Sequence, residues 1–100
     1  MSEEALIVFR QCRSLLQIFS DPARQDIILL LAQHERLSVN EITSHLSLSR
    51  PAISHHLKML RDNRLVNIEQ KGTQRFYTLS LTESIHQLKN LLNIVEKECT

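Results

Sequence analysis

One glycine, two prolines and two cysteines in 100 residues leave this sequence short of several kinds of chemistry. So few helix breakers favour helices. A single glycine also excludes most phosphate-cradling loops, and no nucleophile, base and orienting group stand together, so an enzyme has little support. No apolar run approaches about 18 residues, the length a membrane span needs. The start, Met1-Ser2-Glu3-Glu4, is acidic, with no basic segment ahead of an apolar core. That argues against a signal peptide and for the cytoplasm, where Cys12 and Cys99 should rest as thiols.

Net charge is only +1, which by itself does not point to nucleic acid. Its distribution does. Between Ser47 and Thr78 six basic residues (Arg50, Lys58, Arg61, Arg64, Lys71, Arg75) face two acidic ones (Asp62, Glu69), a net of +4 that leaves −3 for the remainder. A basic segment on a slightly acidic body is the footprint of a DNA-binding surface. With 42% apolar residues the chain has ample material for one folded domain over residues 1–100. A chain of this length buries only a modest core and often leans on a partner subunit.

The periodicity gives mainly helices. Ser2 to about Ser20 forms a first helix, with too many apolar residues for one core-facing stripe. The excess predicts a second buried face against another subunit. Asp21-Pro22 starts a second helix, Asp21 as cap and Pro22 in the first turn, running to about Gln33. Its centre, Ile27–Ala32, is apolar all round and is expected to be buried, and His34–Leu37 forms a loop. Ser38-Val39-Asn40-Glu41 matches a capping box and opens a short helix to about Leu46. After a Ser47-Leu48 turn, Ser49 caps a helix from Arg50 to about Asn63 with Pro51 in its first turn. Two helices joined by so short a turn are a helix-turn-helix.

At 100° per residue, Ile53, Leu57 and Leu60 of this last helix fall together towards the core. Pro51, Ser54, His55 and Lys58 fall on the solvent side, and His56 on the flank, where packing and hydrogen bonding are its expected roles. Strands over Leu65–Gln70 and Gln74–Leu79 flank a Lys71-Gly72-Thr73 turn. Ser80-Leu81-Thr82-Glu83 offers another capping box for a final helix to about Glu98. That helix carries a seam of Ile85, Leu88, Leu92 and Val95, widened by Leu91, which again suggests a subunit contact. The fold class is mainly α with a β-hairpin wing: a winged helix-turn-helix.

Three stretches carry a family resemblance: Ser20-Asp21-Pro22-Ala23-Arg24, then Ser49-Arg50-Pro51-Ala52-Ile53-Ser54-His55-His56-Leu57-Lys58-Met59-Leu60, then Leu65-Val66 entering a hairpin that closes on Arg75-Phe76-Tyr77-Thr78-Leu79. Over residues 15–80 or so the chain resembles the ArsR/SmtB transcriptional repressors. The resemblance implies a homodimer, joined through the first and last helices, on an inverted-repeat operator in double-stranded DNA. It places base contacts at Arg50, where many relatives carry Gln, and at Ser54 and His55. Arg can fork onto guanine O6 and N7. Ser47 and Ser49 sit where phosphate is held, Ser49 serving equally as the helix cap, and Lys58 and Arg61 would meet the backbone. The wing residues Lys71 and Arg75 would reach the minor groove or its phosphates.

The family's sensor ligands fare worse. Leu37-Ser38-Val39-Asn40-Glu41 stands where some members carry a Cys-x-Cys pattern, and it has no thiolate. On the last helix only His86 matches a ligand position, too few for a tetrahedral metal. No metal or other cofactor is expected. Cys12 and Cys99 remain as a candidate redox pair within or between subunits, or else as a small buried residue and an end-of-helix thiol. Against the DNA-binding repressor stand two alternatives: a repressor switched through Cys12 and Cys99, and a winged helix that docks protein instead of DNA.

Overall fold

Ser2 begins the first helix by accepting the Ala5 N–H on its hydroxyl at 3.1 Å. In the computed structural model, which describes residues 2–100, the expected long first helix is divided at Cys12 into α1 (Glu3–Gln11) and α2 (Arg13–Ser20). The cause is local. The Cys12 N–H is shared between the carbonyls of Val8 and Phe9, at 3.1 and 3.2 Å, which tightens the turn. The Cys12 side chain is meanwhile buried, its thiol reaching the Gln87 carbonyl at 3.8 Å.

α3 (Pro22–Ala32) starts as expected. Asp21 Oδ1 accepts the N–H groups of Ala23 and Arg24 at 2.9 and 3.2 Å. Its centre is less buried than the sequence led us to expect: Ile27, Ile28 and Leu31 are in the core, but Leu29 is 62% exposed. The apolar circumference of this helix exceeds what one chain covers.

The Ser38–Glu41 capping box is present and opens α4 (Val39–His45). The preceding loop is shorter than expected, because Leu37–Ser38 forms a two-residue strand, β1. The hairpin strands β2 (Val66–Lys71) and β3 (Gln74–Leu79) pair antiparallel, and β1 joins β3 on its other side with Leu37 opposite Tyr77. Lys71 pairs with Gln74, so the turn is the two residues Gly72-Thr73, with φ +62° at Gly72. Glycine takes that left-handed backbone without a Cβ clash. The final helix, α6 (Thr82–Cys99), lacks the expected capping box: Leu81 occupies the cap position and makes no side-chain cap bond.

Between them lies α5 (Arg50–Asp62), capped by Ser49, whose hydroxyl accepts the Ala52 N–H at 3.3 Å. Ile53, Leu57 and Leu60 are fully buried in the main core, beside Ile18, Ile27, Leu31, Ile42 and Leu65. α5 ends in a Schellman motif: Leu65 N–H donates to Leu60 O and Arg64 N–H to Arg61 O, both at 2.9 Å. The left-handed position, usually glycine, is Arg64 at φ +62°. A side chain there costs about 1 kcal/mol. Its ion pair with Glu83, at 3.9 Å between exposed groups, offsets little of that. Arg64→Gly is therefore expected to stabilise the protein by about 0.5–1 kcal/mol, read from denaturant midpoints. A destabilised variant would show that the Glu83 pair outweighs the backbone cost.

α1 and α6 pack away from the main core. Their contact is a small separate cluster of Val8, Cys12 and Leu91, with Phe9, Ile94 and Val95 against it. The molecule is correspondingly long, 49 × 25 × 20 Å, with a radius of gyration of 15.8 Å where about 13 Å is usual for this length.

Candidate nucleic-acid interface

The helix-turn-helix places one face of α5 outward. Arg50, Pro51, Ser54, His55, Lys58 and Arg61 are all exposed, while the buried Ile53, Leu57 and Leu60 hold the opposite side. Ser47 is exposed in the turn before the helix. Ser49 is occupied as the cap, so its hydroxyl already satisfies one of the free N–H groups that α5 presents at its start.

The fold brings together two basic residues that the sequence separates by 25 positions. Arg50, at the start of α5, and Arg75, on β3, line one shallow cleft with Ser38, Asn40, Thr73 and Gln74. The β1–β3 pairing is the reason, since it seats the wing against the strand that leads into α4. Asn40 and Gln74 were not picked out from sequence as site residues, and Thr73 only as part of the wing turn; the strand pairing reveals that they border the same cleft.

The other basic residues are partly engaged. Lys58 pairs with Asp62 at 3.5 Å, and Lys71 with Glu69 at 3.6 Å. Glu69 also meets Arg36 at 3.4 Å, and that guanidinium lies 4.7 Å over the Phe76 ring. Exposed pairs of this kind contribute about 0–1 kcal/mol, so a phosphate can displace the carboxylate. Arg50, Arg61 and Arg75 form no ion pair among the described residues.

Behind the helix, the sequence flagged Arg24 only as part of a motif. Its side chain is buried, and it donates to the carbonyls of Ile18 and Gln17 at 3.1 and 3.2 Å and to His56 Nδ1 on α5 at 3.3 Å. His56 is half-buried, in the packing and hydrogen-bonding position that the helical projection gave it. The Asp21 carboxyl is held below its usual 3.8 by the Arg24 backbone N–H, helped by the Arg24 guanidinium and the Ala23 N–H. A depressed folded pKa contributes stability above the unfolded value and loses it as pH falls through the folded one. Wild type should thus lose more stability than Asp21→Asn as pH drops below about 4. Denaturant melts of both proteins across that range check this, and parallel curves would contradict it.

The candidate redox pair is not brought together within one chain. Cys12 is buried against Gln87, and Cys99 is exposed twelve residues further along α6. At 1.5 Å per residue that is about 18 Å of helix, far beyond the roughly 7 Å Cα limit of a disulfide. Among the described residues, no three His, Cys, Asp or Glu side chains are grouped as metal ligands, and His86 is exposed. No described helix is long and apolar enough to cross a membrane.

The sequence profile of bacterial regulatory proteins of the arsR family matches residues 21–67, the helix-turn-helix and the start of the wing. The arsenical resistance operon repressor of Staphylococcus xylosus is 31% identical over 93 residues, covering 91% of this chain and 88% of that protein. The chain belongs to the ArsR family. This ArsR-family chain is 44% identical over 69 residues to the transcriptional activator HlyU of Vibrio cholerae, covering 69% of it and 63% of that protein. The structure of reduced HlyU aligns over 99% of the chain and all of HlyU, with a TM-score of 0.74. An ArsR-like regulator from Rhodococcus, 24% identical, shares the fold at a TM-score of 0.84 over 97% of this chain and 85% of that one. As an ArsR-family protein with this winged helix-turn-helix, the chain is a DNA-binding transcriptional regulator.

Proposed function

We propose that this regulator is a cytoplasmic homodimeric repressor of an inverted-repeat operator, with residues 1–100 acting as one DNA-binding unit whose terminal helices join the subunits. α5 lies in the major groove, where Arg50, Ser54 and His55 meet base edges. Ser47, Ser49 and the start of α5 face phosphate, as do Lys58 and Arg61 further along the helix. The wing places Lys71 and Arg75 on the adjacent minor groove or its phosphates. The observation that carries this reading is the shared cleft of Arg50 and Arg75, two cations in no ion pair among the described residues, on the two elements a winged helix presents to DNA.

The dimer is supported by what a single chain leaves uncovered. Leu6, Ile7, Leu16, Ile85 and Leu92 on α1, α2 and α6 are 42–65% exposed, beside a satellite core of only three buried residues. Apolar surface gathered on these elements marks an interaction face. Relatives carry both kinds of regulatory name, repressor and activator; repression is proposed because relatives whose sequences match over more than four-fifths of both chains are named repressors, whereas the sequence match to the activator covers 69% of this chain and 63% of that one.

Binding to duplexes tiled across the promoter next to the protein's own gene, followed through a salt series, tests the reading. Each phosphate contact contributes a slope of about −0.9 in log K against log salt. Arg75→Ala should therefore flatten the slope by about 1 per subunit and weaken all sequences alike. An unchanged slope would remove the wing from the interface, and no preferred duplex at low salt would overturn the function.

A further inference from the structure

Arg24 is the one charged side chain among the buried described residues, and its guanidinium divides its bonds between two elements. One edge faces α2: Nε donates to Ile18 O at 3.1 Å and Nη2 to Gln17 O at 3.2 Å. These carbonyls are in the last turn of α2, where backbone N–H partners run out, and Gln17 O also accepts from the Ser20 hydroxyl at 2.7 Å. Capping α2 explains that edge. It does not explain the other, where Nη1 turns to α5 and meets His56 Nδ1 at 3.3 Å and Met59 Sδ at 3.4 Å, with Asp21 Oδ2 at 3.8 Å.

A guanidinium is planar, and its donors have fixed directions. Once two α2 carbonyls set the plane, the direction of Nη1 is set as well. His56 and Met59 are three residues apart and therefore neighbours on one flank of α5. Holding both fixes the roll of that helix about its axis. A second consequence is chemical. Arg only donates, so His56 Nδ1 accepts and the neutral ring carries its proton on Nε2. No buried side-chain nitrogen or oxygen lacks a partner among the described residues. Among the described residues His56 Nε2 has no hydrogen-bond partner, so this nitrogen is not among the fully buried ones.

We propose that Arg24 is a positioning residue for DNA recognition: it sets the roll of α5 through His56 and Met59, and thereby the directions in which Arg50, Ser54 and His55 point. The proposal rests on α5 being the reading helix. Roll matters more for base edges than for phosphates, because base contacts specify sequence and backbone contacts position the protein without reading it. Arg24 thus governs discrimination between operator and non-operator DNA more than it governs overall affinity.

The test compares Arg24→Lys, His56→Leu and His56→Gln with wild type, each as the full chain, for binding to the operator duplex and to a scrambled duplex of equal length at one salt concentration. Melting temperature is measured beside binding. Lysine keeps the charge without the fork, leucine removes the acceptor, and glutamine retains one. His56→Leu and Arg24→Lys should lower the operator-to-scrambled ratio about tenfold or more. Scrambled-duplex affinity should stay within about threefold, and His56→Gln should keep most of the ratio. Nitrogen-15 spectra of the wild-type histidine rings should show His56 as a single Nε2–H tautomer, and in Arg24→Lys a mixture. A ratio unchanged in His56→Leu and Arg24→Lys overturns the proposal. So does a loss of both affinities in step with melting temperature, an equal loss in His56→Gln, or a wild-type His56 protonated on Nδ1. Arg50→Ala is run alongside: if it leaves the ratio intact, the reading helix itself is misassigned, whereas a normal Arg50 effect with an inert His56→Leu fails Arg24 alone.

Discussion

Arg50→Ala should abolish most of the preference for operator DNA while leaving the protein folded and its subunits together. The side chain stands at the first position of α5, exposed, with no carboxylate to compete for it among the described residues. A guanidinium that forks onto guanine contributes about 1–3 kcal/mol of discrimination, and a two-fold dimer uses it in both half-sites. The operator-to-scrambled ratio should therefore fall by about 10- to 100-fold or more. Scrambled DNA should lose only the share due to one cation per subunit, because non-specific binding counts charges. Since Arg50 is exposed and forms no ion pair among the described residues, the melting temperature should hold. Equal operator affinity in wild type and variant would place base reading elsewhere.

A charge on the uncovered apolar face should have an effect as large by a different route. Leu92 is 65% exposed and Ile7 49% exposed in the single chain, so glutamate at either position costs the isolated fold little. Against a partner subunit the same carboxylate would be buried without a counter-ion. Leu92→Glu is expected to sediment as a monomer at micromolar concentration with an unchanged far-ultraviolet spectrum. Its operator affinity should fall by 100-fold or more, on the order of the gain from linking two half-sites. A Leu92→Glu protein that remains dimeric would move the interface away from α6.

Much of this architecture was legible because local chemistry and global fold agree. Asp21, Ser38 and Ser49 are caps in the sequence and caps in the structure. Ile53, Leu57 and Leu60 project to one side and are buried there. What escaped the sequence depends on partners remote in the chain. β1 is two residues long, too short for any alternation, and exists because Tyr77 and Phe76 lie opposite it. The division at Cys12 is the exception, a local tightening in which one N–H is shared between two carbonyls, and no glycine or proline marks it in the sequence. The exposed Leu29 looked buried because periodicity counts apolar residues and cannot say whether anything covers them. Within the candidate interface, the helix face was readable from projection alone. The cleft joining Arg50 to Arg75 was not, since 25 residues and a strand pairing separate them.

The strand order β1-β3-β2 has a consequence for how copies of this chain meet. β3 is central and β1 covers only two of its residues, so the one long free edge of the sheet belongs to β2. That edge is short and carries Asn67, Glu69 and Lys71 at exposed positions. Charged side chains on a short edge strand discourage the addition of a strand from another molecule. Growth of the sheet by strand addition is thus disfavoured, which leaves the exposed apolar helices as the surface through which the proposed dimer would close into a finite assembly instead of a fibre.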